Sequence, residues 1–219
     1  MGTNCGPVLA NLYLFSYEYI FMSRIIERYG DNYARKFHLT FRLNDDVLAI
    51  DNTSFQKHAA IKAEDPSEIG IYPGSLELNV TNESEKTVCF LGMKIIDSKD
   101  ATPVFDVFDK RDEFPFPVIR YPHMDSLIPK SMPYGVFTGQ LCRYYRICTR
   151  WKSFINRAVT LAITLRNQGS QIRRLIKTFD LFLNRKQRFR WKKVSPSSLS
   201  SSFKSGFSRA TRKRIREKS

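Results

Sequence analysis

Acidic residues all but vanish from the last third of this 219-residue chain. Residues 150–219 hold 20 Lys and Arg but only two acids, Asp180 and Glu217, whereas residues 1–149 hold 16 Lys and Arg against 19 Asp and Glu. An evenly charged globule is thereby excluded; a near-neutral body is followed by a basic, partner-seeking segment. Cysteine is scarce too. Cys5, Cys89, Cys142 and Cys148 are too few for a disulfide scaffold at this length, and the six-residue step from Cys142 to Cys148, with no His nearby in sequence, matches no zinc pattern. A reducing compartment follows. No run reaches the roughly 18 uncharged apolar residues of a membrane span, and the most apolar early stretch, Leu12 to Met22, is interrupted by Glu18. Residues 1–6 carry no basic stretch ahead of an apolar one, so no secretory leader is expected. The chain reads as intracellular, nuclear or cytoplasmic, with no membrane partner and no internal repeat.

What is present suffices for a core. With 42% hydrophobic and 13% aromatic residues, neither a wholly disordered nor a collagen-like chain is possible. Residues 7–28 read as a helix: Pro7 suits a first helical position, and Val8, Leu12, Phe15, Tyr19, Met22 and Ile26 recur every three or four residues. Asn11, Glu18 and Arg24 occupy the opposite face, and Gly30-Asp31-Asn32 supplies a stop. From residue 37 the period changes to two. Phe37, Leu39 and Phe41 alternate with His38, Thr40 and Arg42, Asn44-Asp45-Asp46 forms a polar tip, and Val47 to Ile50 returns as a second strand. A short helix follows from about Ser54 to Ala63. Leu76 to Val80 and Thr87 to Ile96 read as two strands around a polar loop, and Val104 to Phe108 as a third.

Residues 113–133 are rich in proline and aromatics and read as an extended connector. Three amphipathic helices are then predicted, over 134–149, 151–167 and 171–184. The last sets Ile172, Leu175, Ile176, Phe179 and Leu183 against Arg173, Arg174 and Lys177. Beyond Trp191 the chain turns Ser-rich and basic, which predicts a disordered tail. Its end, Arg212-Lys213-Arg214-Ile215-Arg216, suits a nuclear-import address or a phosphate-binding arm. The three histidines, His38, His58 and His123, are scattered and read as surface or satisfied core.

Two features carry chemistry. A polyanion is the obvious partner for seventy residues nearly devoid of acids, because each phosphate neutralised releases a condensed counterion; a merely solubilising surface is the plain alternative. Asp45 and Asp46 are adjacent carboxylates at a hairpin tip, where like charges repel and a hard divalent cation such as Mg²⁺ would remove the conflict. The plain alternative is a solvated acidic turn.

The order of segments decides between these. Gly2-Thr3-Asn4-Cys5-Gly6-Pro7 leading into Val8–Leu14, then Arg42-Leu43-Asn44-Asp45-Asp46-Val47-Leu48, Leu76-Glu77-Leu78, Phe90-Leu91-Gly92-Met93-Lys94, Phe108 to Phe116, Ile128 to Phe137 and Gln140-Leu141-Cys142-Arg143-Tyr144 together resemble the back half of a reverse transcriptase of the animal retroelement type, Penelope-like or related. The resemblance covers residues 1–190. It implies an α+β fold: a partial polymerase palm, with a small antiparallel sheet and helices on one face (1–112), the connector (113–133), a helical thumb (134–190) and the disordered basic tail (191–219). It implies Asp45 and Asp46 as catalytic and metal-binding residues for Mg²⁺ or Mn²⁺. Gly2, Thr3, Asn4 and Pro7 would form the nucleotide and template loop, and Gln140, Arg143, Arg146, Arg173, Arg174 and Lys177 would line the nucleic acid. RNA template, RNA/DNA duplex and deoxynucleotides are the implied partners. Leu43 stands where the family usually has an aromatic residue two positions before the first carboxylate. The family's fingers and its other metal-binding aspartate would lie upstream of Met1, and no Asp precedes Asp31. A truncated RNA-directed DNA polymerase, inactive by itself but able to bind nucleic acid, is therefore expected; a non-enzymatic nucleic-acid-binding protein is the alternative.

Overall fold

The computed structural model describes residues 5–82, 84, 86–98, 102–116, 118, 121–186 and 190–216. The class is α+β, with seven helices and two small antiparallel sheets among the described residues. The chain divides into two compact units, residues 1–81 and 82–219. The division thus falls before the three-stranded sheet, not at residue 112, because those strands pack on the helices that follow them.

In the first unit α1 spans Gly6–Tyr29, with Pro7 in its opening turn, where the absent N–H costs nothing. It ends at Gly30, whose φ of 77° is left-handed and whose N–H donates to the Ile26 carbonyl. A single turn, α2 (Asp31–Ala34), runs into a 3-10 turn over Arg35–Phe37. Phe37 therefore lies in a turn, buried, and not in the strand that its alternation suggested. β1 (Thr40–Leu43) and β2 (Asp46–Ala49) pair antiparallel, Leu43 opposite Asp46 and Phe41 opposite Leu48, and α3 covers Phe55–Ala60. Residues 61–81 form no further strand beyond an isolated bridge from Lys62 to Tyr72. Leu76, Leu78 and Val80 alternate as expected but find no ladder partner, and all three stay exposed.

The core of this unit is Phe21, Ile25, Ala34, Phe37, Ile69, Ile71 and Tyr72. His58 is buried among the rings of Phe21, Phe37 and Tyr33; its Nδ1–H donates to the Ile69 carbonyl at 2.7 Å and its Nε2 faces the Tyr33 hydroxyl at 3.0 Å. The packed side of α1 is thus Leu14, Tyr17, Phe21, Met22 and Ile25, and the rest of the row read from the sequence, Val8, Leu12, Phe15, Tyr19 and Ile26, stays exposed. The helix is apolar on two faces, so periodicity alone could not say which would be buried. Arginines near its end tie down the irregular segment: Arg24 donates to the Ala63 and Glu68 carbonyls and Arg28 to that of Ser67.

In the second unit β3 (Thr87–Phe90), β4 (Met93–Ile96) and β5 (Val104–Val107) form an antiparallel meander. One predicted strand is in fact a hairpin, because Leu91 and Gly92 both take positive φ, 50° and 72°, and close a two-residue turn. Helices α4 (Met132–Ile147), α5 (Trp151–Asn167) and α6 (Ile172–Asn184) follow within two residues of their predicted bounds. A fourth helix, α7 (Pro196–Arg216), occupies the stretch that composition marked as disordered. Leu199, Phe203 and Phe207 recur every fourth residue, and all three are buried. Serine and basic content predicted disorder, but this one-sided apolar stripe secures the helix to the core. Phe203 stacks on Phe179 with centroids 4.1 Å apart, and Phe179 stacks in turn on Phe154, so three helices share one aromatic column.

Sheet and helices are pinned together after α4. Thr149 N–H donates to the Phe105 carbonyl, Phe105 N–H to Thr149 Oγ1, and Arg157 to the Val107 carbonyl. Cys148 is fully buried here. Burial, followed by the Asp106 carboxylate beside it, pushes its thiol up to about 12.

Candidate nucleic-acid interface

The hairpin places Asn44 and Asp45 in its two-residue turn and Asp46 at the start of β2. Asn44 has a φ of 52°, a conformation that asparagine tolerates better than most residues. Both carboxylates are exposed. Their position is set from below by Arg42, on the opposite face of β1. Its guanidinium forks onto Glu18 of α1, with Nε–Oε1 at 2.5 Å and Nη2–Oε2 at 3.2 Å, and reaches Asn11 Oδ1 at 2.7 Å and the Asn44 carbonyl at 3.4 Å. Tyr72 adds its hydroxyl to the same Glu18 oxygen at 2.8 Å. Burial, then the bond to Glu18, raises the Tyr72 phenol well above its ordinary range, and the bond to Glu18 raises Arg42. Asn11 and Glu18 appeared in the sequence only as a polar helix face; their service to the hairpin is a contact across 24 residues and more.

As a metal holder the pair is sparse. Among the described residues no three of His, Cys, Asp and Glu come together. Two exposed carboxylates supply too few oxygens for the two-ion clamp of phosphoryl transfer. Gly2, Thr3 and Asn4 lie outside the described residues, and Pro7 opens α1 as a helical residue.

The basic residues sort clearly. Arg173, Arg174 and Lys177 are exposed on the first turns of α6, and Arg174 lies over the Tyr134 ring with 5.8 Å to its centroid. The Tyr134 hydroxyl accepts from the Gln171 N–H at 3.2 Å. No acid occupies the first turn of this helix. Cations in a first turn oppose the macrodipole, at a cost of about 0.3–1 kcal/mol each, which for Arg174 is offset by the Tyr134 ring and for Arg173 is not. Arg146 is exposed as well. Gln140 and Arg143 are different: both are half-buried, Gln140 Oε1 is enclosed without a hydrogen-bond partner, and Arg143 Nη2 donates to the Gly92 carbonyl at 3.4 Å, on the β3–β4 turn. Arg143 thereby braces the sheet.

Composition alone could not place a second basic cluster. Arg190 donates to the Arg146 carbonyl at the end of α4 and its N–H to the Tyr145 hydroxyl; Lys186 sits over the Tyr145 ring at 5.0 Å; Lys192 and Lys193 are exposed beside them. Cations at a helix C-terminus complement the dipole, so this cluster has a structural role besides its charge. Asp180, the one acid between α4 and Arg216, pairs with Lys204 at 3.0 Å and accepts from the Ser200 hydroxyl at 2.6 Å. A cleft of about 200 Å³ lined by Asp109, Phe116, Val118 and Tyr121 also holds arginines, but Arg111 forks onto Asp109 and Arg157 onto backbone and Asp106.

Compared with models of known families, with characterised proteins and with solved structures, the chain finds no match.

Proposed function

We propose that this chain binds nucleic acid along its phosphate backbone through the second unit, as the thumb-side part of a reverse transcriptase that makes no DNA by itself. The observation that carries the reading is the basic start of α6, where Arg173, Arg174 and Lys177 stand exposed on a turn without an acid, on a helix whose other face is buried in the core. The helix dipole disfavours that arrangement, whereas a phosphate gains both the side chains and the first-turn amides. Contacts of this kind read charge and not sequence, which suits a protein that must hold any template or RNA/DNA duplex. In the first unit, Asp45 and Asp46 would hold Mg²⁺ or Mn²⁺ against phosphate oxygens or a deoxynucleotide.

Fluorescence anisotropy with a short RNA/DNA hybrid tests the binding. Neutralising the three residues together (Arg173→Gln, Arg174→Gln, Lys177→Gln) is expected to weaken affinity roughly tenfold or more and to flatten the slope of log K against log salt by about 2–3. Unchanged affinity and slope would refute the assignment. Primer extension by the same protein should give no product above background. A thermal midpoint raised by Mg²⁺ in the wild type and not in Asp45→Asn would support the metal-holding hairpin; equal midpoints would leave the alternative, a nucleic-acid-binding protein without a metal.

A further inference from the structure

The row that the sequence marked on α1 is a heptad seam in which Met22 touches the core of its own unit and the other members stay exposed. Val8, Leu12, Phe15, Tyr19, Met22 and Ile26 step by four and three residues in strict alternation, and all of these but the half-buried Met22 are 46–65% exposed. Tyr29 extends the series by one further step. A spacing of 3.5 residues held over a 24-residue helix is the pattern of a two-helix seam, not of a helix lying on a sheet. Leu9, Tyr13 and Ile20 widen the exposed apolar surface along one side.

We propose that α1 packs along this seam against α1 of a second copy of the chain. The flanking positions name the occupant. On one side they are Leu9, Ser16 and Ser23; on the other, Asn11 and Glu18 are held by Arg42 and Ile25 is buried. Choice of a different helix is ordinarily made by charges at these positions. Here none is available, so nothing rejects an identical helix, and a two-fold pair sets each copy's seam on the other's. The area agrees. The seven half-exposed large side chains of the seam and its Leu9 flank contribute roughly 100 Å² each, about 700 Å² per copy and ~1,400 Å² for the pair, within the range of stable specific interfaces. The pairing uses none of the basic residues of the second unit and stands or falls apart from nucleic-acid binding.

Sedimentation velocity of the full chain at micromolar concentration, without nucleic acid, reads the result. The wild type is expected at twice the chain mass. Leu12→Glu sets a charge in the middle of the seam and should weaken association roughly tenfold or more. Val8→Glu guards against misfolding: an acid in the first turn favours the helix, so loss of the dimer at unchanged far-UV ellipticity reports the interface alone. Lys177→Glu, on α6, should leave the mass untouched. A wild type at single-chain mass would overturn the proposal, as would a dimer that both seam variants preserve.

Discussion

Arg42 fastens the hairpin to α1, and its neighbours give that bond a pH dependence. Tyr72 is buried and its hydroxyl bonds to Glu18 beside the guanidinium fork, so burial first and that bond second make the phenol lose its proton less readily in the fold than in the unfolded chain. Unfolded tyrosine titrates near pH ~10. A folded-state value above that means the contribution is fully present below pH ~10 and is lost as pH rises further, when a phenolate would face a carboxylate. The urea midpoint of the first unit, followed by far-UV circular dichroism, should therefore fall more steeply above pH ~10 in the wild type than in Tyr72→Phe. Parallel curves would show that the phenol is not coupled to folding. Of this site the sequence displays the tip, because adjacent acids between two short apolar runs are a local pattern. It conceals the support, because Arg42, Glu18 and Tyr72 meet only when helix, hairpin and the irregular 61–81 segment are folded together.

At the scale of elements, local period predicts well where one face is apolar and the other is not. Helices α5 and α6 keep such faces and were legible almost to the residue. α1, apolar on two sides, was legible as a helix but not in its orientation. α7 escaped because its composition outweighed three apolar residues that are each four apart. Those three are decisive for the fold. Phe203 is fully buried against Phe179 and Phe137, so Phe203→Ala should cost about 3–5 kcal/mol in equilibrium unfolding. A loss below ~1 kcal/mol would mean that α7 is an accessory to the core and not a part of it. The start of α7 carries its own cap, since Ser195 Oγ accepts from the Ser198 N–H at 3.2 Å.

At the scale of the whole molecule, the basic excess falls within one of the two units. Residues 1–81 hold 7 Lys and Arg against 10 Asp and Glu; residues 82–219 hold 29 against 11. The basic excess noted from residue 150 onward thus belongs to a unit that starts earlier and includes a sheet, and its helices bury their apolar faces while leaving the cations outside. The sequence could not show this, because the sheet joins those helices through long-range bonds such as Phe105 to Thr149. The same division has an optical side. Trp151 and Trp191 are the only indoles, and Trp191 is buried against Phe154 and Tyr145 with its Nε1–H on the Thr149 carbonyl. Emission from the chain on red-edge excitation is accordingly a private channel of the cationic unit, silent about the tyrosine-rich one. In a denaturant titration the emission curve should track that unit alone and part from the ellipticity curve wherever the two units differ in stability; a shift in emission that follows disruption of α1 would show that the channel is shared.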